Sequence, residues 1–178
     1  MKKFTKGLAL SEQRESKGFT LIELLIVIAL LGALAAGLLA AIDPFEQLKK
    51  GSDTSIRGQA ESFYNASIAY YAQRNSLPSS ITVQADGWSA ALTSAVGSAA
   101  ISELAGAGEL KSDFYILAGV TKLAQIVVSK PTNEKIVVCY QPQSKAFRND
   151  QYTKYNSTGL TAAACPSGTS SLCFQCFQ

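Results

Sequence analysis

The residues of this sequence whose type and spacing could do chemistry are its cysteines. Cys139, Cys165, Cys173 and Cys176 all lie late in the chain, and the last two have the C-x-x-C spacing. Four thiolates could bind one zinc ion, a C-x-x-C pair could carry out redox chemistry, and paired cysteines could form structural disulfides. A redox pair is expected to open a helix in a βαβ context, which this segment lacks. Structural disulfides are therefore the favoured interpretation, and zinc binding and redox catalysis are the alternatives.

Other catalytic chemistry finds little support in the composition. The 178 residues include no histidine, which excludes Ser-His-Asp and Cys-His catalysis and zinc sites that contain histidine. No Gly-rich phosphate loop and no pair of carboxylates stands out. Asn149, Asp150 and Asn156 could ligate calcium, but their pattern does not define a site. We therefore expect a protein that is not an enzyme and that has no metal or other cofactor.

One carboxylate lies in an otherwise apolar segment. Glu23 is the only charged residue between Phe19 and Ile42. A helix of that length spans about 36 Å, which is enough to cross a bilayer core of about 30 Å. The basic residues before the segment predict an N-terminus on the cytoplasmic side. Because a carboxylate in a membrane helix costs about 2.5–3.5 kcal/mol at mid-bilayer, Glu23 needs a partner.

The residues around Glu23 resemble a known signal. The segment KGFTLIELLIVI, from Lys17 to Ile28, resembles the class III signal peptide of type IV prepilins and type II secretion pseudopilins. The resemblance implies that a prepilin peptidase cleaves between Gly18 and Phe19 and methylates the new amine of Phe19. It also implies that Glu23 meets the N-terminal ammonium of a neighbouring subunit during assembly. A secretory signal peptide would have a shorter apolar core, and a plain membrane anchor would leave Glu23 unexplained.

These features divide the chain into three parts. Residues 1–18 form a leader that is cleaved, residues 19–75 form a long N-terminal helix whose transmembrane and assembly part is 19–42, and residues 76–178 form a globular head with a disulfide-containing tail. Small residues recur every four positions in the transmembrane part and favour close packing between copies. Gly32 and Pro44 weaken the helix, and in related pilins the stretch between such residues can extend inside the fibre.

The pattern after Pro44 predicts an α+β, pilin-like fold, in which the long helix packs on a head with a small antiparallel sheet. The helix should end near Asn75, before Leu77-Pro78. Its predicted core face comprises Phe45, Leu48, Ile56, Ala60, Phe63 and Tyr70, and its predicted solvent face comprises Lys49, Lys50, Asp53, Arg57 and Glu61. One or two short helices are predicted over 87–104. Strands are predicted at 114–117, 123–128 and 135–140, the last two joined as a hairpin by residues 131–133.

The tail from Ser144 onwards is predicted to be mostly loop. Four cysteines permit three pairings; we favour Cys139, on a predicted strand, bonded into the tail, with the other two cysteines paired locally, and the sequence does not specify which tail cysteine Cys139 meets. This arrangement resembles the disulfide-bounded C-terminal region of pilins.

The resemblance implies a structural subunit of a type IV pilus-like filament. Its implied partners are copies of itself in a helical homopolymer, the prepilin peptidase and methylase, the inner-membrane assembly platform, and the membrane before assembly. The precursor would be a single-pass cytoplasmic-membrane protein, and the assembled subunit would lie in a filament at the cell surface. The alternatives are a pseudopilin of type II secretion, a minor pilin acting as an adhesin or DNA-binding tip protein, and a plain membrane-anchored domain.

The position of the basic residues bears on nucleic-acid binding. The formal net charge of the chain is +3. The leader contains the whole excess, because it carries Lys2, Lys3, Lys6, Arg14 and Lys17 against Glu12 and Glu15. Once the leader is removed, the side-chain charges balance. The net charge therefore gives no support for nucleic-acid binding.

Overall fold

The computed structural model describes residues 18–41, 43–83, 89–166 and 173–178. The leader before Gly18, the beginning of the helix predicted over 87–104, and residues 167–172 of the tail lie outside the described residues. The described residues form two compact units, with the boundary between Asp43 and Pro44.

The first unit is built on one apolar helix, α1 (Leu21–Ala41). Its segment Leu21–Leu39 has a mean hydropathy of 2.6, and none of it is buried. By length and composition this helix could cross a membrane. Its large apolar side chains remain 46–82% exposed on all sides. A helix that is apolar all round needs lipid or other helices as its surroundings.

The second unit begins with the long helix α2 (Pro44–Arg74). Pro44 is its first residue, a position where the missing backbone N–H costs nothing because it would have no helical partner. Asn75 follows the last turn with a φ of 51°, a left-handed conformation that ends helices. The helix therefore ends where the sequence predicts it.

The buried face of α2 differs from the prediction at its beginning. Ile56, Ala60 and Phe63 are fully buried as expected, but Phe45 and Leu48 are 73% and 71% exposed. Asp53, predicted to face solvent, is fully buried. The reason is the helical repeat: counting back in sevens from Ala60 along the buried face leads to Asp53 and Glu46, and not to Phe45 or Leu48.

A four-stranded antiparallel sheet packs against α2. It consists of β1 (Ala90–Ala91), β2 (Ile126–Ser129), β3 (Val137–Tyr140) and β4 (Gln175–Phe177), in the order β1-β2-β3-β4. The β2–β3 hairpin pairs Ile126 with Tyr140 and Ser129 with Val137, which confirms the predicted hairpin, but its first strand begins at Ile126 and not at residue 123, which is helical. Alternate strand residues join the core with the buried face of α2. The α+β, pilin-like fold predicted from the sequence is thus confirmed.

The helix α3 (Ala95–Gly106) confirms a helix in the second part of the range 87–104, whereas Ala90 and Ala91, also predicted to be helical, form β1. The Ser94 side chain caps it by accepting a hydrogen bond from the Gly97 N–H at 3.2 Å. A Cβ atom on Gly97 would lie 2.4 Å from the Leu92 Cα. Only glycine therefore permits this approach of α3 to the end of β1.

The strand predicted at 114–117 is wrong. This segment is the short helix α4 (Phe114–Ala118), which is followed after Gly119 by α5 (Val120–Leu123). The N–H groups of Ile116 and Leu117 donate to the Asp113 carbonyl, so their backbone is coiled. Ile116 and Leu117 are 80% and 67% exposed, so this run does not enter the core as a strand of the sheet would. A four-residue apolar run cannot be assigned by periodicity alone.

The tail contains more regular structure than predicted. Besides β4, it forms the short helix α6 (Lys145–Arg148). Ser144 caps this helix and accepts a hydrogen bond from the Phe147 N–H at 3.4 Å. A four-residue helix has no apolar periodicity that the sequence could reveal.

Candidate processing and assembly site

The residues predicted for processing lie just before α1. Gly18, Phe19 and Thr20 are non-helical and exposed. No atom lies within 4 Å of the position of a Cβ on Gly18, and the Phe19 side chain is 80% exposed. The Gly18–Phe19 peptide bond is therefore accessible among the described residues, as a cleavage site requires.

Thr20 and Glu23 form a capping box at the beginning of α1. The Thr20 N–H and hydroxyl donate to Glu23 Oε2 at 2.9 and 2.8 Å, and the Glu23 N–H donates to Thr20 Oγ1 at 3.3 Å. This reciprocal pairing satisfies backbone donors that the first turn of a helix leaves free. The Thr-x-x-Glu spacing signals the motif in the sequence, but the sequence analysis missed it.

The capping box leaves part of the Glu23 carboxylate available. Both Thr20 donors bind Oε2, so Oε1 takes no part in the box. The carboxylate can accept hydrogen bonds from an ammonium through Oε1 while it still caps its own helix. The site can therefore bind a cation and cap the helix at once.

The helix α1 continues without a break through Gly32, which the sequence predicts to be a weak point. Gly32 lies inside α1, which is helical on both sides of it, and Pro44 opens α2. The extension of the stretch between them in a fibre stays a prediction, because it concerns the packed filament. The rows of small residues, which run from Ala29 to Ala41 and from Gly32 to Ala40, lie on this helix.

Comparison with known protein families identifies the motif. Residues 13–39 match the family described as the prokaryotic N-terminal methylation motif. The chain carries the prepilin-type N-terminus of type IV pilins and pseudopilins. The match ends within α1 and does not include the head. No curated protein and no solved structure gives a match to the chain.

The prepilin-type N-terminus gives the apolar helix its biological context. Together they fit a membrane-anchored precursor, and the motif points to a structural protein. This context also accounts for an apolar helix that no described residue of its own chain buries.

The head of this prepilin-type protein contains two disulfides. Cys139 is bonded to Cys176, its direct partner across β3 and β4, and Cys165 is bonded to Cys173. The two bridges use all four cysteines of the chain, and the two cysteines of the C-x-x-C segment are bonded to different partners and not to each other. Within the described ranges no three acidic, cysteine or histidine side chains form a group that could hold a metal.

Two of the three residues considered for calcium have other roles. Asp150 Oδ1 accepts a hydrogen bond from the Tyr152 N–H at 2.9 Å. Asn156 Oδ1 accepts from the Thr158 N–H at 3.0 Å and from its hydroxyl at 2.8 Å. These oxygens stabilise turns in the tail.

Two carboxylates of α2 hold the beginning of α6, and the sequence analysis missed both roles. Asp53 Oδ2 accepts hydrogen bonds from the Ser144 N–H at 2.8 Å and its hydroxyl at 2.7 Å, and Oδ1 accepts from the Gln143 N–H at 2.9 Å. Glu46 Oε2 accepts from the Lys145 N–H at 2.9 Å. The Lys49 side chain also donates a hydrogen bond to Glu46. The bond from the Lys145 N–H and this bond lower the pKa of Glu46. The seven-residue repeat of the buried face is the signal that could have revealed both.

Glu103 of α3 is a third such carboxylate. It accepts hydrogen bonds from the Tyr70 hydroxyl at 2.8 Å and from the Ser79 N–H at 3.0 Å, and further bonds from Ser80. Burial alone would raise its pKa, but these hydrogen bonds outweigh that effect and lower it. Glu103 thus joins the end of α2 to the loop after it. No pattern in the Ala-rich sequence of α3 indicates this role.

Proposed function

We propose that the chain is the structural subunit of a type IV pilus-like filament. It is made as a membrane-anchored precursor, cleaved between Gly18 and Phe19, methylated on Phe19, and polymerised through α1. The head then forms the exposed surface of the filament. In this proposal the protein is not an enzyme and needs no cofactor.

One combination of observations carries this proposal. The prokaryotic N-terminal methylation motif at residues 13–39 coincides with an apolar helix that no described residue of the chain covers. A helix that is apolar all round must be surrounded by lipid or by similar helices. A filament whose core consists of such helices satisfies the second condition.

The proposed polymerisation depends on Glu23. The Phe19 ammonium of one subunit would meet Glu23 Oε1 of its neighbour, and two charges that are costly alone become tolerable together. The proposed partners are therefore copies of this chain, with the prepilin peptidase and the inner-membrane assembly platform acting before them.

Two related functions use the same N-terminus. A pseudopilin of a type II secretion system would form a short periplasmic fibre, and a minor pilin would act at a filament tip. Extracellular filaments that contain this chain as their main component would support the pilus subunit. Their absence, with a secretion defect on deletion, would favour the pseudopilin.

Mass spectrometry of the mature N-terminus tests the processing step. We expect a chain that begins with N-methylated Phe19, recovered under oxidising conditions with both disulfides intact. An intact leader, or cleavage after Ala41, would exclude the pilin and pseudopilin functions alike.

Variants of the capping box test the assembly step. Glu23→Gln keeps a side chain that can complete the box but removes the charge, whereas Thr20→Ala removes the cap and keeps the charge. We expect both variants to be processed, and we expect Glu23→Gln to reduce filament yield more than Thr20→Ala does. If Thr20→Ala has the larger effect, helix capping and not charge pairing is the role of Glu23.

A further inference from the structure

A small cleft lies in the second unit where α2, β4 and the segment after α6 meet. The residues that line it are Arg57, Tyr152, Tyr155, Gln175, Cys176 and Phe177. Its volume is about 110 Å³. A water molecule in the liquid takes up about 30 Å³, and pockets for drug-sized ligands measure about 300–1,000 Å³. The cleft therefore has room for one terminal group of a ligand and not for a whole large molecule.

The β4 side of the cleft is held in place by other parts of the head. Gln175 is buried, its Oε1 accepts a hydrogen bond from the Tyr140 hydroxyl, and its Nε2 donates to Thr153 Oγ1 at 2.9 Å. The Phe177 ring stacks on the Tyr64 ring of α2, with 6.1 Å between the ring centres. Because these side chains are already ordered, a ligand does not have to order them when it binds.

Arg57 contributes the charge of the cleft. Among the described residues that line the cleft it is the only charged one, and its side chain forms no hydrogen bond or ion pair with any residue that the structure describes. Two carboxylates lie nearby. Asp53, one helical turn earlier, is fully buried, and both of its oxygens accept hydrogen bonds from the segment before α6. Asp150 Oδ1 accepts a hydrogen bond from the Tyr152 N–H at 2.9 Å. Since neither carboxylate lines the cleft, the Arg57 N–H donors remain available to a ligand.

The other groups of the cleft suit a ligand that is rich in hydrogen-bond acceptors. Gln175 Nε2 carries two hydrogens and gives one of them to Thr153, and the Tyr152 and Tyr155 hydroxyls can also donate. A guanidinium binds a carboxylate through two parallel N–H···O bonds. Tyr152 is 61% exposed, so the face of its ring is open to the C–H groups of a saturated ring. A carboxylate attached to a sugar ring uses both features, whereas the carboxylate of a peptide would use only Arg57.

We propose that this cleft binds the terminal sugar of an acidic glycan, with its carboxylate on Arg57 and its ring against Tyr152. A terminal sugar is expected because the cleft has room for one such group. The site lies wholly within the second unit, so binding requires neither the membrane nor polymerisation. The proposal therefore goes beyond the filament function and does not depend on it.

Binding can be measured with the full-length, oxidised chain in phosphatidylcholine nanodiscs. Saturation-transfer difference NMR gives the Kd of each ligand, and empty nanodiscs serve as the blank. The acidic probes are the methyl glycosides of glucuronate, galacturonate and N-acetylneuraminate. Methyl glucoside and methyl galactoside are the matched sugars without a carboxylate, and acetate is the carboxylate without a ring. We expect at least one acidic sugar to bind about tenfold more tightly than its neutral match and than acetate, because hydrogen bonds to a charged group are the stronger ones.

Three variants assign the binding to the cleft. Arg57→Gln should reduce the affinity for the acidic sugar to that for its neutral match. Tyr152→Ala should weaken the acidic and the neutral sugar alike, by about fivefold, because it removes the ring surface. Arg74→Gln is the matched control, since it removes the same charge from the same helix about 25 Å away, and it should leave the Kd unchanged. All three residues are exposed, so the variants should keep the Tm of the original chain.

Three results would overturn the proposal. The first is that none of the acidic sugars binds to the original chain. The second is that acetate binds as tightly as the acidic sugar, which would mean that the cleft accepts any carboxylate, including an acidic side chain of another protein. The third is that Arg74→Gln weakens binding as much as Arg57→Gln, which would indicate general attraction to positive charge. A chain that is not processed or does not form filaments would contradict the proposed function and leave these measurements unaffected.

Discussion

Removal of the Asp53 carboxylate should destabilise the head strongly. Asp53 is fully buried and is the acceptor for the Gln143 N–H, the Ser144 N–H and the Ser144 hydroxyl. The substitution Asp53→Ala leaves these donors without that acceptor. Gln143 is exposed and can turn to water, but Ser144 is fully buried. The loss of stability should therefore come mainly from the two Ser144 donors, its backbone N–H and its hydroxyl.

The size of the effect follows from those two donors. A buried donor without an acceptor costs about 1–3 kcal/mol, so the two donors should lower the free energy of unfolding of Asp53→Ala by about 2–6 kcal/mol. That is a large part of the 5–15 kcal/mol that typically separates a folded domain from its unfolded state. For a domain of this size we expect a fall in Tm of about 10–20 °C. Asp53→Asn retains one acceptor oxygen and should have an intermediate effect.

Differential scanning calorimetry of the oxidised chain in detergent measures this difference. Glu61→Ala is the matched control, because Glu61 is an exposed carboxylate on the same helix, and such surface changes usually lie within about 0.5 kcal/mol. A Tm for Asp53→Ala within about 3 °C of that control would refute the reasoning, since about 1 kcal/mol is the least that one unpaired donor should cost.

Two further predictions concern pH and the disulfides. The pKa of Glu103 is lowered in the folded head. The contribution of its carboxylate to stability is therefore complete above the ordinary pKa of 4.5 and is lost as the pH falls through the lower pKa of the folded state. The substitution Glu103→Gln should accordingly flatten the fall in Tm measured below pH 5. The bridge from Cys139 to Cys176 spans 37 residues and that from Cys165 to Cys173 spans 8, so replacing the first pair by serine should lower the free energy of unfolding by about 4 kcal/mol and replacing the second by about 2.5 kcal/mol. Denaturant titration of the two double variants checks the order, and equal losses would contradict the loop-entropy argument.

The parts of the fold that the sequence predicts are those with a long or repeated signal. The apolar segment that begins at Phe19 has a composition that only a membrane or an assembly of helices accommodates, and α1 is found there. The end of α2 at Arg74 is marked by Asn75, whose left-handed conformation is common after helices. The β2–β3 hairpin has two apolar runs around a turn-forming Pro-Thr-Asn sequence.

The failures occur where the decisive interaction is tertiary. Phe114 to Leu117 is apolar enough for a strand, but the segment is coiled into α4, whose last carbonyl, that of Ala118, accepts a hydrogen bond from the Gln59 side chain of α2. Asp53 is a charged residue that the polarity rule assigns to solvent, and it is buried because the backbone of Ser144 supplies its hydrogen bonds. That partner is 91 residues away in the sequence, so no local pattern could indicate it.

The candidate site likewise has one feature that a local sequence pattern indicates and one that depends on the folded structure. The Thr-x-x-Glu spacing is local, and attention to helix caps would have predicted the bonds between Thr20 and Glu23. The choice of Oε2 for both of those bonds depends on three-dimensional geometry, which the spacing alone does not specify.

The use of a single carboxylate oxygen by the capping box has a consequence for the free energy of each proposed assembly step. Thr20 fixes the rotamer of Glu23 while the subunit is still alone, so the side chain loses its freedom during folding and not at the moment of docking. Ordering a flexible side chain on association typically costs about 0.5–1.5 kcal/mol. In a growing filament that cost would recur at every added subunit, and a carboxylate oriented in advance removes it from each step.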